Sequence, residues 1–402
     1  MPQKRAANQT LSILPEPDAA ERAHSDALAA LIRNEILARG PLPFARYMEL
    51  ALYAPGLGYY SAGRTKFGPA GDFVTAPELG SLFARCIARA LAPMLRELGG
   101  AAVLLELGGG SGAFARDCLR ELDALDSLPT RYLLLEPSAD LAQRQRARLS
   151  AELPAALAAR VEWIARPPAQ PWRGVLFANE VVDALPATRF AIRDGEVYEE
   201  HVALDGEGRF RRMDRPADAL VAGAVRHVGR SLEGPFADGY RSEILPQLPY
   251  WLQAVAGTLE AGAMLFVDYG YPRREYYLPE RRDGTLVCHY RHRAHADALH
   301  APGLADISAF VDFTALAEAG TGAGFDFVGY APQGQFLLAN GLPELVESAL
   351  PASEAERLRM VAEAKRLTLP GDMGERFQAI AFARGLADPL AGLRAFDLSR
   401  RL

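Results

Sequence analysis

An α/β fold built on an open, mostly parallel sheet is what this sequence predicts, and three features predict it. Val103-Leu104-Leu105-Glu106-Leu107 is an apolar run that ends in Gly108-Gly109-Gly110-Ser111-Gly112 and passes into a helical stretch from Ala113. Further strand-length runs, Arg131–Leu135 and 175–178, alternate with helical stretches and end in acids, Glu136 and Asn179-Glu180. Two late runs, 325–330 and 335–339, lie close enough to pair as an antiparallel hairpin. Strand, glycine turn and helix is how such a Rossmann-like sheet builds a nucleotide-sized crevice at its carboxyl edge. Glycine there tolerates backbone angles that other residues resist and lets a ligand approach the main chain.

Taken in order, residues 1–24 form a polar, proline-bearing tail. Leu28, Leu31, Ile32, Glu35 and Ile36 recur at helical spacing over 26–39, and Gly40-Pro41 stops that helix. A second short helix covers 44–52. Residues 53–78 hold Tyr53, Tyr59, Tyr60, Phe67, Asp72, Phe73 and Thr75 among glycines, the composition of a long structured loop, read here as a lid. A helix over 79–98 leads into the central strand. Phe114, Leu119 and Leu122 share one face of the next helix, then come the strand Arg131–Leu135, a helix over 140–149, and strands at Val161–Ile164 and 175–178. Residues 186–240 change character and read as an insertion, with a hairpin over 189–202 turning at Arg193-Asp194-Gly195-Glu196. A helix over 245–259 and an apolar strand over 262–267 follow, ending in Asp268-Tyr269-Gly270. A second, basic and histidine-bearing insertion covers 271–308, and 310–319 is a helix. The chain therefore divides into N-terminal helices and lid (1–78), a nucleotide-binding domain with two insertions (79–340), and a C-terminal helical extension (341–402).

The 44 basic and 50 acidic residues give a net charge of −6, and no basic stripe interrupts the sequence, so phosphate-driven nucleic-acid binding is excluded from the reading. No apolar run approaches the roughly 18 residues of a spanning helix. Cys86, Cys118 and Cys288 are widely spaced, without a CxxC pair. With no signal-peptide pattern before Pro15, a cytoplasmic, reducing environment is expected, and neither a disulfide framework nor a metal. His289, His292, His295 and His300 share their stretch with Arg291 and Arg293, whose charges oppose a bound dication. That stretch reads as a polar loop over an acceptor site.

Two cofactors compete for the glycine turn. Gly108, Gly110 and Ala113 match the dinucleotide fingerprint. Glu106, Gly108, Gly110 and Gly112 match the E-x-G-x-G-x-G pattern of S-adenosylmethionine methyltransferases. Charge separates them: Glu106 repels a pyrophosphate and suits a ligand carrying ammonium and sulfonium groups. Glu136, ending the second strand, is placed for both ribose hydroxyls. The expected antiparallel ending of the sheet agrees, because dinucleotide sheets continue in parallel. S-adenosylmethionine is the cofactor expected. Methyl transfer requires chiefly alignment and exclusion of water. Asn179, Glu180 and Asp183 follow the fourth strand, where the methyl group should point, and Glu180 suits a bidentate grip on a guanidinium. Asp183 and Asn179 could instead cap a short helix.

The chain resembles the MidA family of class I methyltransferases, whose mitochondrial member is a complex I assembly factor, over roughly 30–385. The resemblance is carried by Gly40-Pro41-Leu42-Pro43-Phe44, Gly58-Tyr59-Tyr60, Gly71-Asp72-Phe73-Val74-Thr75-Ala76-Pro77-Glu78-Leu79, the Glu106–Gly112 turn, and Asn179-Glu180 with Asp183-Ala184-Leu185-Pro186. Asp268-Tyr269-Gly270, Asp306-Ile307 and Gln333-Gly334-Gln335-Phe336-Leu337 also belong to it. It implies a seven-stranded class I methyltransferase sheet and methylation of a protein arginine, with a respiratory-chain subunit as first candidate and no nucleic-acid or membrane partner. A homodimer is left open as its assembly. Carried over residue by residue, Glu106, Gly108, Gly109, Gly110, Gly112, Glu136, Pro137, Asp72 and Thr75 are expected to bind the cofactor. Glu180, Asn179 and Asp183 are expected at the reacting centre, and Tyr59, Tyr60, Asp268 and Tyr269 at the acceptor. A methyltransferase for a small molecule or another side chain, and a non-catalytic cofactor-binding assembly factor, are the alternatives.

Overall fold

The computed structural model describes residues 14–63, 75–348 and 353–402. At its centre lies a twisted sheet whose strands are β1 (Val103–Leu107), β2 (Arg131–Leu135), β3 (Val161–Ile164), β4 (Trp172–Asn179), β5 (Leu259–Tyr271), β6 (Asp326–Pro332) and β7 (Phe377–Arg384). Their spatial order is β6-β7-β5-β4-β1-β2-β3, and a two-residue strand, Val311–Asp312, pairs with the end of β5. The pairs β1–β2, β1–β4, β2–β3 and β4–β5 are parallel, whereas β7 runs antiparallel to both β5 and β6. The strand order reverses between β1 and β4, so the crevice expected of an open α/β sheet opens at their carboxyl ends.

Both faces of the sheet are covered, which is why β1 and β4 read as continuous apolar runs. Helices Leu82–Leu98, Ala113–Ala124 and Gln333–Ala339 pack on one face with Leu104, Phe177, Leu265 and Ala381. Helices Leu248–Ala256 and Phe313–Gly322 cover the other with Leu105, Leu176, Phe266 and Phe382. Gly174 and Gly262 stack across β4 and β5 beside Val103. A Cβ on Gly174 would stand 1.8 Å from the Val103 carbonyl oxygen, and one on Gly262 1.7 Å from that of Gly174.

The antiparallel ending is present, with a different partner from the one expected. Gln333–Ala339 is a helix, entered through Pro332 and anchored by Gln333, whose Nε2 donates to the Leu367 carbonyl at 3.2 Å. The strand that pairs with β6 is β7, inside the region expected to be a helical extension, so 341–402 completes the main sheet. Ala379, Ala381 and Ala383 face one core while Ile380 and Phe382 face the other. Alanine on alternate positions gives a strand the composition of a helix, and tertiary burial decides.

The two insertions are ordered sheets. The first supplies Thr188–Arg193, Glu196–Leu204 and Phe210–Pro216, which are joined by Arg241–Ile244 just beyond it and by Leu42–Pro43 from the N-terminal segment. Its first hairpin turns where Asp194 and Gly195 adopt φ of 52° and 77°, the backbone that a two-residue hairpin loop requires. The second insertion forms a three-stranded sheet of Val287–Tyr290, Arg293–His295 and Asp306–Ser308. Helices Ala19–Arg39 and Phe44–Tyr53 lie against both insertions, sharing a core with Val202, Tyr290 and Ile307. No helix among the described residues is long and apolar enough to cross a membrane.

Candidate active site

A cavity of about 1040 Å³ opens at the carboxyl ends of β1, β2, β4 and β5. The turn after β1 begins it. Gly108, Gly110 and Gly112 hold φ of 63°, 52° and 83°, in the left-handed region that a side chain resists. A Cβ on Gly109 would stand 2.5 Å from Leu134 Cδ2. Gly108, Gly109 and Gly110 line the cavity; Gly112 does not, and instead turns the chain into the helix Ala113–Ala124. Glu106, 4% exposed, accepts a hydrogen bond from the Tyr132 hydroxyl at 2.6 Å, and burial pushes its carboxyl up to about 8.

Glu136 ends β2 on the same cavity. Its oxygens accept from the Ser138 amide at 2.9 Å and from Gln145 Nε2 at 3.0 Å. Gln145 also donates to the Gly110 carbonyl and accepts from the Trp163 indole, tying the acid to the glycine turn. Capping of the helix Ala139–Glu152 falls to Ser138, whose hydroxyl accepts from the Leu141 amide, so Glu136 is spared for the cavity. Leu135, Pro137, Leu141, Ala165 and Pro167 form an apolar stretch of the wall beside it. Buried acids, a main-chain cradle and an apolar slot fit a ligand with cationic, ribose and purine parts, which is the chemistry of S-adenosylmethionine.

The end of β4 carries the second group of acids. Asn179 donates from Nδ2 to Glu180 Oε1 at 3.0 Å, while its own buried Oδ1 has no hydrogen-bond partner among the described residues. Glu180 has a φ of 52° and accepts a hydrogen bond from the Ala76 amide; burial, with Asp183 nearby, pushes its carboxyl up to about 8. Asp183 accepts from the Tyr269 hydroxyl and the Ala184 amide, while its buried Oδ1 has no hydrogen-bond partner among the described residues. No helix follows Asp183 before the strand Thr188–Arg193, so the capping alternative fails for it, and Asp268 takes up the amides of that turn. Asp268 accepts from the amides of Val182, Asp183 and Tyr269 at 3.0, 3.3 and 2.9 Å.

That role corrects the expectation that Asp268 meets the acceptor: it is 1% exposed and does not line the cavity. Tyr59 is likewise buried away from the wall, packed edge-on against Tyr60. Tyr60, Tyr269, Thr75 and Pro137 do line it, and Asp72 lies outside the described residues. Of the histidines, His289 and His295 reach the wall; among the described residues no group of three or more potential ligands could hold a metal. Tyr53, Asp306, Phe310 and Phe377 line the cavity without having been expected as site residues, and Gln145 supports it. Helical or strand periodicity carries no signal for them, because three tertiary contacts with the N-terminal segment, an insertion and β7 bring them in.

Comparison with known proteins gives a consistent picture. A family model described as "Putative S-adenosyl-L-methionine-dependent methyltransferase" matches residues 86–331. The mitochondrial protein arginine methyltransferase NDUFAF7 homolog of Drosophila melanogaster is 31% identical, with 92% of this chain and 88% of that protein covered. The mitochondrial protein arginine methyltransferase NDUFAF7 of Danio rerio is 28% identical, over 86% and 84%. A crystal structure of a Burkholderia thailandensis protein bound to S-adenosyl-homocysteine superposes with a TM-score of 0.90 at 41% identity, covering 97% of this chain and all of that one.

Proposed function

The chain belongs to the MidA family of S-adenosylmethionine-dependent methyltransferases, and on that premise we propose that it methylates an arginine side chain of a protein. The observation that carries the reading is the pair of neighbouring carboxylates, half-buried Glu180 and buried Asp183, on the cavity wall beside the glycine turn. Among the described residues no lysine or arginine forms an ion pair with either. Two acids buried together raise each other's proton affinity and lower their energy by taking a cation between them. Relatives named as protein arginine methyltransferases support a guanidinium as that cation.

S-adenosyl-L-methionine, when bound, supplies a methyl group on an electrophilic sulfonium. Gly108, Gly109 and Gly110 would cradle it, Glu106 would take its ammonium, Glu136 its ribose, and Leu135, Pro137 and Ala165 its adenine. Glu180 grips two guanidinium N–H groups, which holds the third nitrogen in one orientation and keeps its lone pair from being shared over the whole group. Asn179 keeps Glu180 in place by a hydrogen bond to Oε1. Tyr269 orients Asp183, which accepts the proton that the methylated nitrogen gives up. Phe310 and Phe377, packed 5.0 and 5.4 Å from the Tyr269 ring, shield that proton transfer from water. In this reading the enzyme works in the cytoplasm, where its three unpaired cysteines stay reduced, and the corresponding respiratory-chain subunit is the first acceptor to try.

The test is mass spectrometry of arginine methylation in a deletion strain against its parent, with the purified protein then methylating the peptide that loses its mark. Loss at a defined arginine, restored in vitro, is the expected outcome. An unchanged arginine methylome, together with transfer to a small amine or to another side chain, would overturn it.

A further inference from the structure

The grip described above leaves one buried acid of the cavity without a task. Asp306 belongs to the strand Asp306–Ser308 of the second inserted sheet, not to the methyltransferase sheet, yet it lines the same cavity as Glu180 and Asp183. The Tyr60 hydroxyl donates to its Oδ1 at 2.8 Å and the Ser308 hydroxyl to its Oδ2 at 2.6 Å, so both oxygens are fixed in orientation. Its charge acts on Glu180, Asp183, Tyr53 and Tyr269. Asp183, 6% exposed, lines the same cavity and has a buried Oδ1 with no hydrogen-bond partner among the described residues.

We propose that Asp306 is a specificity-determining residue, which together with Asp183 binds the cationic end of the acceptor and selects a guanidinium over an ammonium. The proposal rests on the arginine reading above. An ammonium is a compact charge that one carboxylate satisfies, whereas a guanidinium spreads five donors around a rigid plane and can bridge carboxylates held on separate chain elements. Here the separate elements are the turn after β4, which carries Glu180 and Asp183, and the inserted strand, which carries Asp306. Tyr60 links the second of them to the N-terminal segment, so acceptor choice is built from outside the cofactor-binding sheet.

The experiment is an NMR titration of the S-adenosylhomocysteine-loaded full chain with Ac-Gly-Arg-Gly-amide and with its lysine twin. The wild type is expected to bind the arginine peptide about tenfold more tightly, the worth of one charge-assisted hydrogen bond. Asp306→Asn should lose that preference, with S-adenosylhomocysteine affinity and melting temperature kept as controls of folding. Tyr60→Phe, which frees the carboxylate without removing it, should reduce the preference part-way. An Asp306→Asn protein that still prefers arginine tenfold, or a preference untouched by Tyr60→Phe where Asp306→Asn does not fold, overturns the role of Asp306 and leaves the arginine reading standing. A wild type with no preference between the peptides overturns the arginine reading itself, and this inference with it.

Discussion

In the proposed mechanism Glu180 is the residue on which methyl transfer turns. Burial and the neighbouring Asp183 push its carboxyl up to about 8, so near neutral pH it is largely protonated until a cation arrives. The free enzyme should therefore engage its acceptor better as pH rises, with kcat/KM climbing through about pH 8; a profile flat from pH 6 to 9 would contradict this assignment. Glu180→Gln keeps the shape and removes the charge. Affinity for S-adenosylhomocysteine should stay within about twofold by calorimetry, while transfer falls by at least about a hundredfold, the scale of a lost charge-stabilising group. At the glycine turn, Gly110→Val places a branched side chain where φ is 52° and the cavity begins. The left-handed conformation alone costs about 1–2 kcal/mol, and calorimetry should show cofactor binding lost. Glu106, the glycines and Glu136 could be read from the chain because they fall at the ends of two consecutive strands and in the turn between strand and helix. The places of Gln145 and Asp306 in the site could not, since each reaches it through a contact distant in sequence, to Gly110 and to Tyr60.

At the level of elements, the sheet depends on close backbone approach at its middle. The Val103, Gly174 and Gly262 main chains lie side by side, and a methyl at Gly174 meets the Val103 carbonyl oxygen at 1.8 Å. Gly174→Ala must push β1 from β4 or bend β4. Urea unfolding should show a loss of about 3 kcal/mol or more, and a midpoint equal to wild type would show that the strands part without cost. The same pair of strands carries Glu106 and Glu180 at its carboxyl end, so this change should also weaken cofactor binding. β7 teaches a different lesson. Its Phe-Gln-Ala-Ile-Ala-Phe-Ala-Arg sequence alternates small and large residues, and only burial between β5 and β6 distinguishes it from a helix.

For the whole molecule, the buried acids oppose stability as pH rises. Glu106, Glu180 and Asp268 are pushed up to about 8, and Glu363, which caps Leu82 at 2.7 Å, to about 7, each chiefly by burial. Each binds its proton more tightly folded than unfolded, so stability from these groups is greatest at low pH and is lost as pH rises from about 4.5 to about 8. Carboxylates lowered by arginine partners, such as Glu35 and Glu162, act below that window and in the opposite sense. The ligand-free protein should melt at a lower temperature at pH 8 than at pH 5.5, and Glu180→Gln should narrow the gap. A Glu180→Gln protein with the full wild-type difference would show that this acid is not held at a cost. Stability given up at a working site is a common trade, and a bound cation should restore it.

The sequence by itself determined the sheet, its glycine turn and the acids at its strand ends, because strands, turns and helix starts are written in runs of a few adjacent residues. Tertiary structure alone decided which strand closes the sheet, that Asp268 holds a backbone turn away from the cavity, and that Tyr53 and Asp306 join Tyr60 on the cavity wall. Those outcomes depend on which buried group finds a hydrogen-bond donor, and the donors come from segments far apart in the chain.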